Sequence, residues 1–396
     1  MQFSLDPKYY RRRRITAVVV VLTLVAFAAA LGGLIQSKTG WSPSPNGEQD
    51  SAQHEVNNTE PANTSAIAVT PDKESEAESQ PKPELRRVAK FSPISKPPKP
   101  GQGKEITIKS DGMVRKYILN VPKEASWLNS KGQPIPLIMG FHGYRESAEY
   151  MDKYAGLSNQ KAIVAYPAGM GRAWEGAPYA VTKDGQDLRF TQRILDEVSS
   201  TYRVDKHRVY ATGMSNGGGF VAKLACEMPR DFSAVASVAG AYYPGTWEGC
   251  AAKGSNPDKP RTVKFADGPT VPFLEIHGRK DALIEYKGGV LHDTPYLGAV
   301  RLTSLYAARA QCFAAPKTTD VSKEVLRIEW PGCPHKGEVI HLAIRDAGHT
   351  WPGELTGLAG AAAAQGTKKD QDKRNRTSAS LYAASEIEEF FQRHTL

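Results

Sequence analysis

The chain has 396 residues, 35 of them glycine and four of them cysteine, and a formal net charge of +9. Residues 1–14 carry +4 and residues 367–376 carry +3, which leaves +2 for everything else. That distribution excludes a basic face with interleaved aromatics, so no nucleic-acid partner is expected.

In chain order, the four arginines Arg11 to Arg14 precede an uncharged run from Ile15 to Ile35, ITAVVVVLTLVAFAAALGGLI, 21 residues long. That length crosses a bilayer as a helix. The arginines before it predict a cytoplasmic tail at 1–14 and a transmembrane signal-anchor at 15–35. The alternative is a cleaved signal peptide, whose apolar core runs about 7–15 residues; AAALGG offers small residues for cleavage. Either reading exports the rest of the chain, membrane-anchored in the first case and secreted in the second. Residues 36–104 are rich in Ser, Pro, Glu, Asn, Thr and Lys and poor in large apolar residues. They predict a disordered extracytoplasmic spacer.

From Glu105 the pattern changes, and residues 105–396 read as one catalytic domain. EITIK and VRKYILNV flank DGM as a hairpin. PLIMGF (136–141), AIVAYP (162–167), RVYATG (208–213), FSAVASVAG (232–240) and VPFLEIHG (271–278) are apolar runs of strand length. LRIEW and EVIHLAIRD add two more. Helical spacing marks 187–204, 220–229, 296–312 and 385–394. Apolar strands alternating with amphipathic helices predict an α/β fold, a mostly parallel sheet with helices on both faces.

The four cysteines, in an exported chain, suggest disulfides. Three pairings are open, and proximity favours Cys226–Cys250 and Cys312–Cys333. Their spacing does not resemble a metal site, and no metal or organic cofactor is expected.

GMSNGGG (213–219) joins the strand RVYATG to a helix, the context a nucleophile elbow requires. Ser215 is therefore the candidate nucleophile. Nine histidines compete for the base. His349, in DAGHTWPG after the last predicted strand, stands where an open parallel sheet places catalytic groups. His341 reads as a satisfied core or face histidine. Asp281, in HGRKD just past the strand VPFLEI, is the candidate acid, ahead of Glu285 and Asp293. Oxyanion donors are expected from the backbone of Asn216 and from FHGYRES, through Gly143 or Tyr144.

FHG, GMSNGG, HGRKD and GHTWPG, in this order at strand ends, resemble the extracellular polyhydroxybutyrate depolymerases and the feruloyl and acetyl-xylan esterase-like α/β-hydrolases related to carbohydrate esterase family one. The resemblance covers about 105–396. It implies Ser215, Asp281 and His349 as nucleophile, acid and base, and a Cys312–Cys333 bridge. AYPAGMGRAWEG is similar to the family segment ending in a tryptophan near the site, which makes Trp174 a substrate-side candidate; Trp351 is another. The anchor, the long spacer and the basic segment 354–376 depart from the secreted depolymerases. The resulting expectation is an extracytoplasmic serine esterase acting on a small-molecule or polymer-borne ester. A peptidase of the same fold and a silent surface-binding module are the rivals.

Overall fold

The computed structural model describes residues 92–125, 131–334, 337–354 and 377–395. The tail at 1–14, the apolar run 15–35, most of the spacer and residues 355–376 of the basic segment lie outside these. Among the described residues no helix is long and apolar enough to cross a membrane.

The elements, in chain order, are β1 (Gly103–Ser110), β2 (Met113–Asn120), β3 (Ile135–Phe141), α1 (Ala148–Ala155), β4 (Ile163–Pro167), α2 (Gln186–Thr201), β5 (Val204–Met214), α3 (Asn216–Glu227), β6 (Ala234–Val238), β7 (Phe273–Gly278), β8 (Gly288–Leu291), β9 (Thr294–Leu297), α4 (Ala299–Arg309), β10 (Lys317–Asp320), β11 (Val325–Trp330), β12 (Val339–Ile344) and α5 (Ala383–Arg393). Ten strands form one sheet in the order β1-β2-β4-β3-β5-β6-β7-β12-β11-β10. Neighbours from β4 through β12 run parallel. The two edges are antiparallel. This is the α/β-hydrolase arrangement, with the order reversing where β4, β3 and β5 meet.

Strands β4, β6, β7 and β12 are buried at every position because both faces are covered, and their period of two divides the side chains between two cores. Leu137, Met139 and Phe141 of β3 and Phe273 of β7 pack with Phe190 of α2, Phe220 of α3 and Tyr306 of α4. Ile138, and Leu274 and Ile276, face the other way, against Met151 of α1 and Ile387, Phe390 and Phe391 of α5. The β1–β2 turn is Asp111-Gly112, both at positive φ, as a two-residue hairpin loop needs.

The predicted elements are present with small shifts, and three others were not anticipated: α1, the edge strand β10 and the hairpin β8–β9. The helix expected over 296–312 begins only at Ala299, because Tyr296 and Leu297 pair in β9. The spacer is shorter than its composition indicates. Ile94 is buried in the core, its N–H donates to Thr201 Oγ1 at 2.9 Å, and the Tyr202 hydroxyl donates to the Pro98 carbonyl at 2.8 Å. A few anchoring contacts order this proline-rich stretch from outside.

Both disulfides form as proximity suggests, Cys226–Cys250 and Cys312–Cys333, with no free cysteine among the described residues. The first ties the last turn of α3 to the loop after β6 across a separation of 24 residues. Closing a loop of that size stabilises by about 3 kcal/mol through the unfolded chain. The paired substitution Cys226→Ser/Cys250→Ser should lower the unfolding free energy by about that amount in urea titration. An unchanged midpoint would overturn the assignment of a stabilising role to this bridge.

Candidate active site

The loops after β5, β7 and β12 leave the same edge of the parallel sheet, and they carry Ser215, Asp281 and His349 respectively. Ser215 has φ 56° and ψ −115°, a conformation that a side-chain-bearing residue adopts only under constraint. Three backbone hydrogen bonds supply that constraint. Ser215 N–H donates to Val238 O at 2.8 Å, and its carbonyl accepts from Gly219 and Ala241 N–H, both at 2.9 Å. The elbow needs glycine on either side of the serine. A Cβ on Gly213 would lie 2.5 Å from the Gly217 carbonyl oxygen, and one on Gly217 would overlap the carbonyl oxygens of Phe141 and His142.

His349 is wholly buried, and its Nδ1 lies 2.7 Å from Asp281 Oδ2. Asp281 Oδ1 accepts from the N–H groups of Leu283 and Ile284 at 2.9 and 2.8 Å. Burial alone would raise the Asp281 carboxyl. The charge of His349 and the hydrogen bonds from His277 and His349 outweigh it and hold the group well below the usual carboxylate range. With Nδ1 bound to the carboxylate, the remaining ring nitrogen of His349 is Nε2. It is buried and has no hydrogen-bond partner among the described residues. The loop is registered by Lys280 N–H to Ala347 O at 3.0 Å. Asp293 and Glu285, the weaker acid candidates, are exposed; Asp293 sits in the β8–β9 turn at positive φ.

Asn216 opens α3, so its N–H has no acceptor within the helix. Its side chain is committed elsewhere, with Oδ1 accepting from Trp174 N–H at 2.8 Å. On the facing loop the two expected donors separate. Gly143 N–H is already donated to Glu146 Oε2 at 2.9 Å, which removes Gly143 as an oxyanion donor. The next peptide is held by its oxygen. Gly143 O accepts from the Glu146 N–H at 3.1 Å and lies 2.8 Å from His142 Nδ1. His142 Nε2 accepts from Gly169 N–H at 3.0 Å, which puts the ring proton on Nδ1. Burial keeps this imidazole neutral, pushing it down to about 4. In a planar trans peptide the N–H points opposite the carbonyl, so pinning Gly143 O aims Tyr144 N–H the other way.

Trp174 and Trp351 are corrected. Both are buried, at 0% and 1% exposure, with no face left for a ligand. Trp174 stacks on Phe220, and its indole N–H donates to His142 O at 2.9 Å, so it ties the two loops together. Trp351 packs edge-on against Tyr154. The half-buried aromatics are others. Tyr144 and Tyr179 stack with centroids 3.9 Å apart. Exposed His292 lies edge-on to both, at 5.9 and 4.8 Å. Sequence reasoning missed His142, Glu146 and His292; the HG dipeptide pointed at the first, and nothing local marked the others. Among the described residues no group of three or more His, Cys, Asp or Glu is arranged to hold a metal ion.

No family model matches the chain. It is 29% identical over 303 residues to “Putative esterase NocK” of Nocardia uniformis subsp. tsuyamanensis, covering 68% of this chain and 80% of that one. It is 25% identical over 287 residues to feruloyl esterase C of Emericella nidulans, covering 67% of this chain and 89% of that one. Among solved structures it matches acetyl xylan esterase from Aspergillus awamori at TM-score 0.46 and 16% identity, over 63% of this chain and 94% of that one. The chain is similar in sequence to carboxylic ester hydrolases of the feruloyl esterase-like group, in line with its four motifs.

Gly217→Ala tests the elbow without touching a reacting atom. Overpacking against two carbonyl oxygens should cost about 3 kcal/mol, the upper end for an added methyl group. Thermal denaturation checks it, and a parent-like Tm would show that the crossing is looser than described.

Proposed function

We propose that the protein is a serine esterase that hydrolyses carboxylic esters, with Ser215 as nucleophile, His349 as general base and Asp281 as its orienting acid. The observation that carries this reading is His349. Its Nδ1 is fixed on Asp281 and its buried Nε2 is left without a partner among the described residues, at the sheet edge where the strained elbow presents Ser215.

Ser215 Oγ attacks the ester carbonyl as His349 Nε2 takes its proton. Asp281 keeps the ring proton on Nδ1 and stabilises the imidazolium. The oxyanion is met by the N–H groups of Asn216 and Tyr144, the first helped by the positive end of α3. His349 then protonates the departing alcohol. Water, deprotonated by the same nitrogen, frees the acid and restores Ser215.

The substrate class follows from what borders Tyr144. Its ring continues into the Tyr144–Tyr179–His292 cluster, a surface suited to the flat face of an aromatic acyl or alcohol group. Feruloyl-type esters are therefore proposed ahead of acetyl and 3-hydroxybutyrate esters. The domain is further proposed to act outside the cytoplasm, held to the membrane by residues 15–35, and the two disulfides support the compartment.

Ser215→Ala should lower kcat on p-nitrophenyl acetate by about 10⁶-fold and abolish labelling by a fluorophosphonate probe. Labelling of the parent with cleavage of aminopeptidase substrates but no ester turnover would favour a peptidase instead. Tyr179→Ala should raise KM for methyl ferulate about fivefold while leaving that for p-nitrophenyl acetate near the parent value, since lost stacking is worth about 1 kcal/mol. Equal effects on both esters would remove the aromatic cluster from recognition.

A further inference from the structure

Behind Asp281 lies a second buried carboxylate that ester hydrolysis as described leaves unused. Glu275 and His277 stand two residues apart on one face of β7, and His341 of β12 is the register partner of Glu275. All three are buried. Glu275 Oε1 accepts from His277 Nδ1 at 2.9 Å and from the Tyr242 hydroxyl at 3.0 Å. Its Oε2 lies 2.5 Å from His341 Nδ1. His341 Nε2 faces the Tyr286 hydroxyl at 2.8 Å. A hydroxyl can donate or accept, so its partners do not force His341 into one protonation state.

His277 has no such freedom. Its Nδ1 faces the Glu275 carboxylate. Its Nε2 faces the Ile284 carbonyl oxygen at 2.9 Å and Asp281 Oδ2 at 3.2 Å. Every one of these atoms is an acceptor. A neutral imidazole offers a single N–H and would set its lone pair against oxygen lone pairs on the other side; only the imidazolium donates both ways.

We propose that His277 is a standing imidazolium that positions Asp281 and cancels the charge of Glu275, so that His349 feels one buried carboxylate rather than two. Its kinetic consequence rests on the triad reading above; its protonation state does not. The groups facing His277 are Glu275 on its own strand, Asp281 in the loop after β7, His341 on β12, Tyr242 after β6 and Tyr286, whose ring lies 5.9 Å away. His349 sits beyond Asp281. Burial alone would push the His277 imidazole down. The Glu275 charge, with the hydrogen bonds to Asp281 and Glu275, reverses this and raises it to about 10. Burial likewise pushes Glu275 up, and the His341 and His277 contacts bring it down to about 2. With Glu275 and Asp281 ionised and His277 protonated, the three carry one net negative charge, which the imidazolium formed on His349 during turnover neutralises.

His277→Gln should leave two uncompensated carboxylates beside His349 and raise the acid limb of its kcat/KM profile on p-nitrophenyl acetate by about one pH unit. The double variant Glu275→Gln/His277→Gln restores the parent net charge and should return the limb to the parent position, even if kcat stays low. A merely structural role would lower activity without this movement and return. Independently, nitrogen NMR of the histidine-labelled parent should show one imidazole protonated on both nitrogens at about pH 8.5, two units above the ordinary value. The absence of that imidazolium overturns the proposal, as does a folded His277→Gln protein whose acid limb stays put. Where the variants do not fold, the parent spectrum decides. An imidazolium in a parent protein without ester turnover would sink the functional reading and leave this assignment standing.

Discussion

The arrangement depends on one backbone constraint, the positive φ of Ser215. Holding such a conformation costs on the order of 1–3 kcal/mol. Three hydrogen bonds, from the end of β6, the first turn of α3 and the start of the loop after β6, hold it there. That demand propagates. α3 must cross β3 so closely that Gly217 meets the carbonyls of Phe141 and His142. The same crossing brings the loop after β3, with Tyr144, alongside the N-terminus of α3. The Ser215 corner and the placement of the facing loop are consequences of one tight approach.

That facing loop is rigid for reasons of its own. Glu146 takes the Gly143 N–H, and Tyr154 of α1 donates its hydroxyl to the same carboxylate oxygen at 2.8 Å. His142 is held neutral and holds the Gly143 carbonyl. Trp174 reaches both sides, donating its indole N–H to His142 and its backbone N–H to Asn216. A buried network with its donors and acceptors matched fixes an N–H direction before any substrate arrives, and that pre-organisation makes a donor effective.

Strands, helices and the order of the four motifs were legible because each has a local signature: continuous apolar runs for strands buried on both faces, helical spacing for α2 and α3, glycines where the elbow must turn. What was not legible is non-local. The donor on the facing loop was narrowed to Gly143 or Tyr144, and only the position of Glu146 separates them. Trp174 stands beside the site in sequence and behind it in space, because its indole N–H is needed to join two loops. His341 reads as a core histidine and is one, yet its partner Glu275 lies 66 positions earlier. The hairpin β8–β9 escaped notice because its turn, His292-Asp293, lacks the glycine that marks such turns, though both residues take positive φ. The start of the domain was misplaced because proline-rich sequence looks unstructured when Ile94 is not known to be buried.

The carboxylates of β7 and the loop after it show what holding buried charge beside the proposed triad requires. Each buried ion costs several kcal/mol of lost hydration unless partners replace the water. Asp281 is held by two backbone N–H groups, His349 and His277, and Glu275 by hydrogen bonds from His277 and the Tyr242 hydroxyl, with His341 Nδ1 close to its other oxygen. Among the described residues His277 is the one side chain that serves both, and it does so through opposite ring nitrogens. A lysine would place a point charge with no such axis, and a glutamine would bring no charge. An imidazole between two acceptors fixes the separation of the carboxylates, keeps Asp281 ionised and limits the negative field at His349.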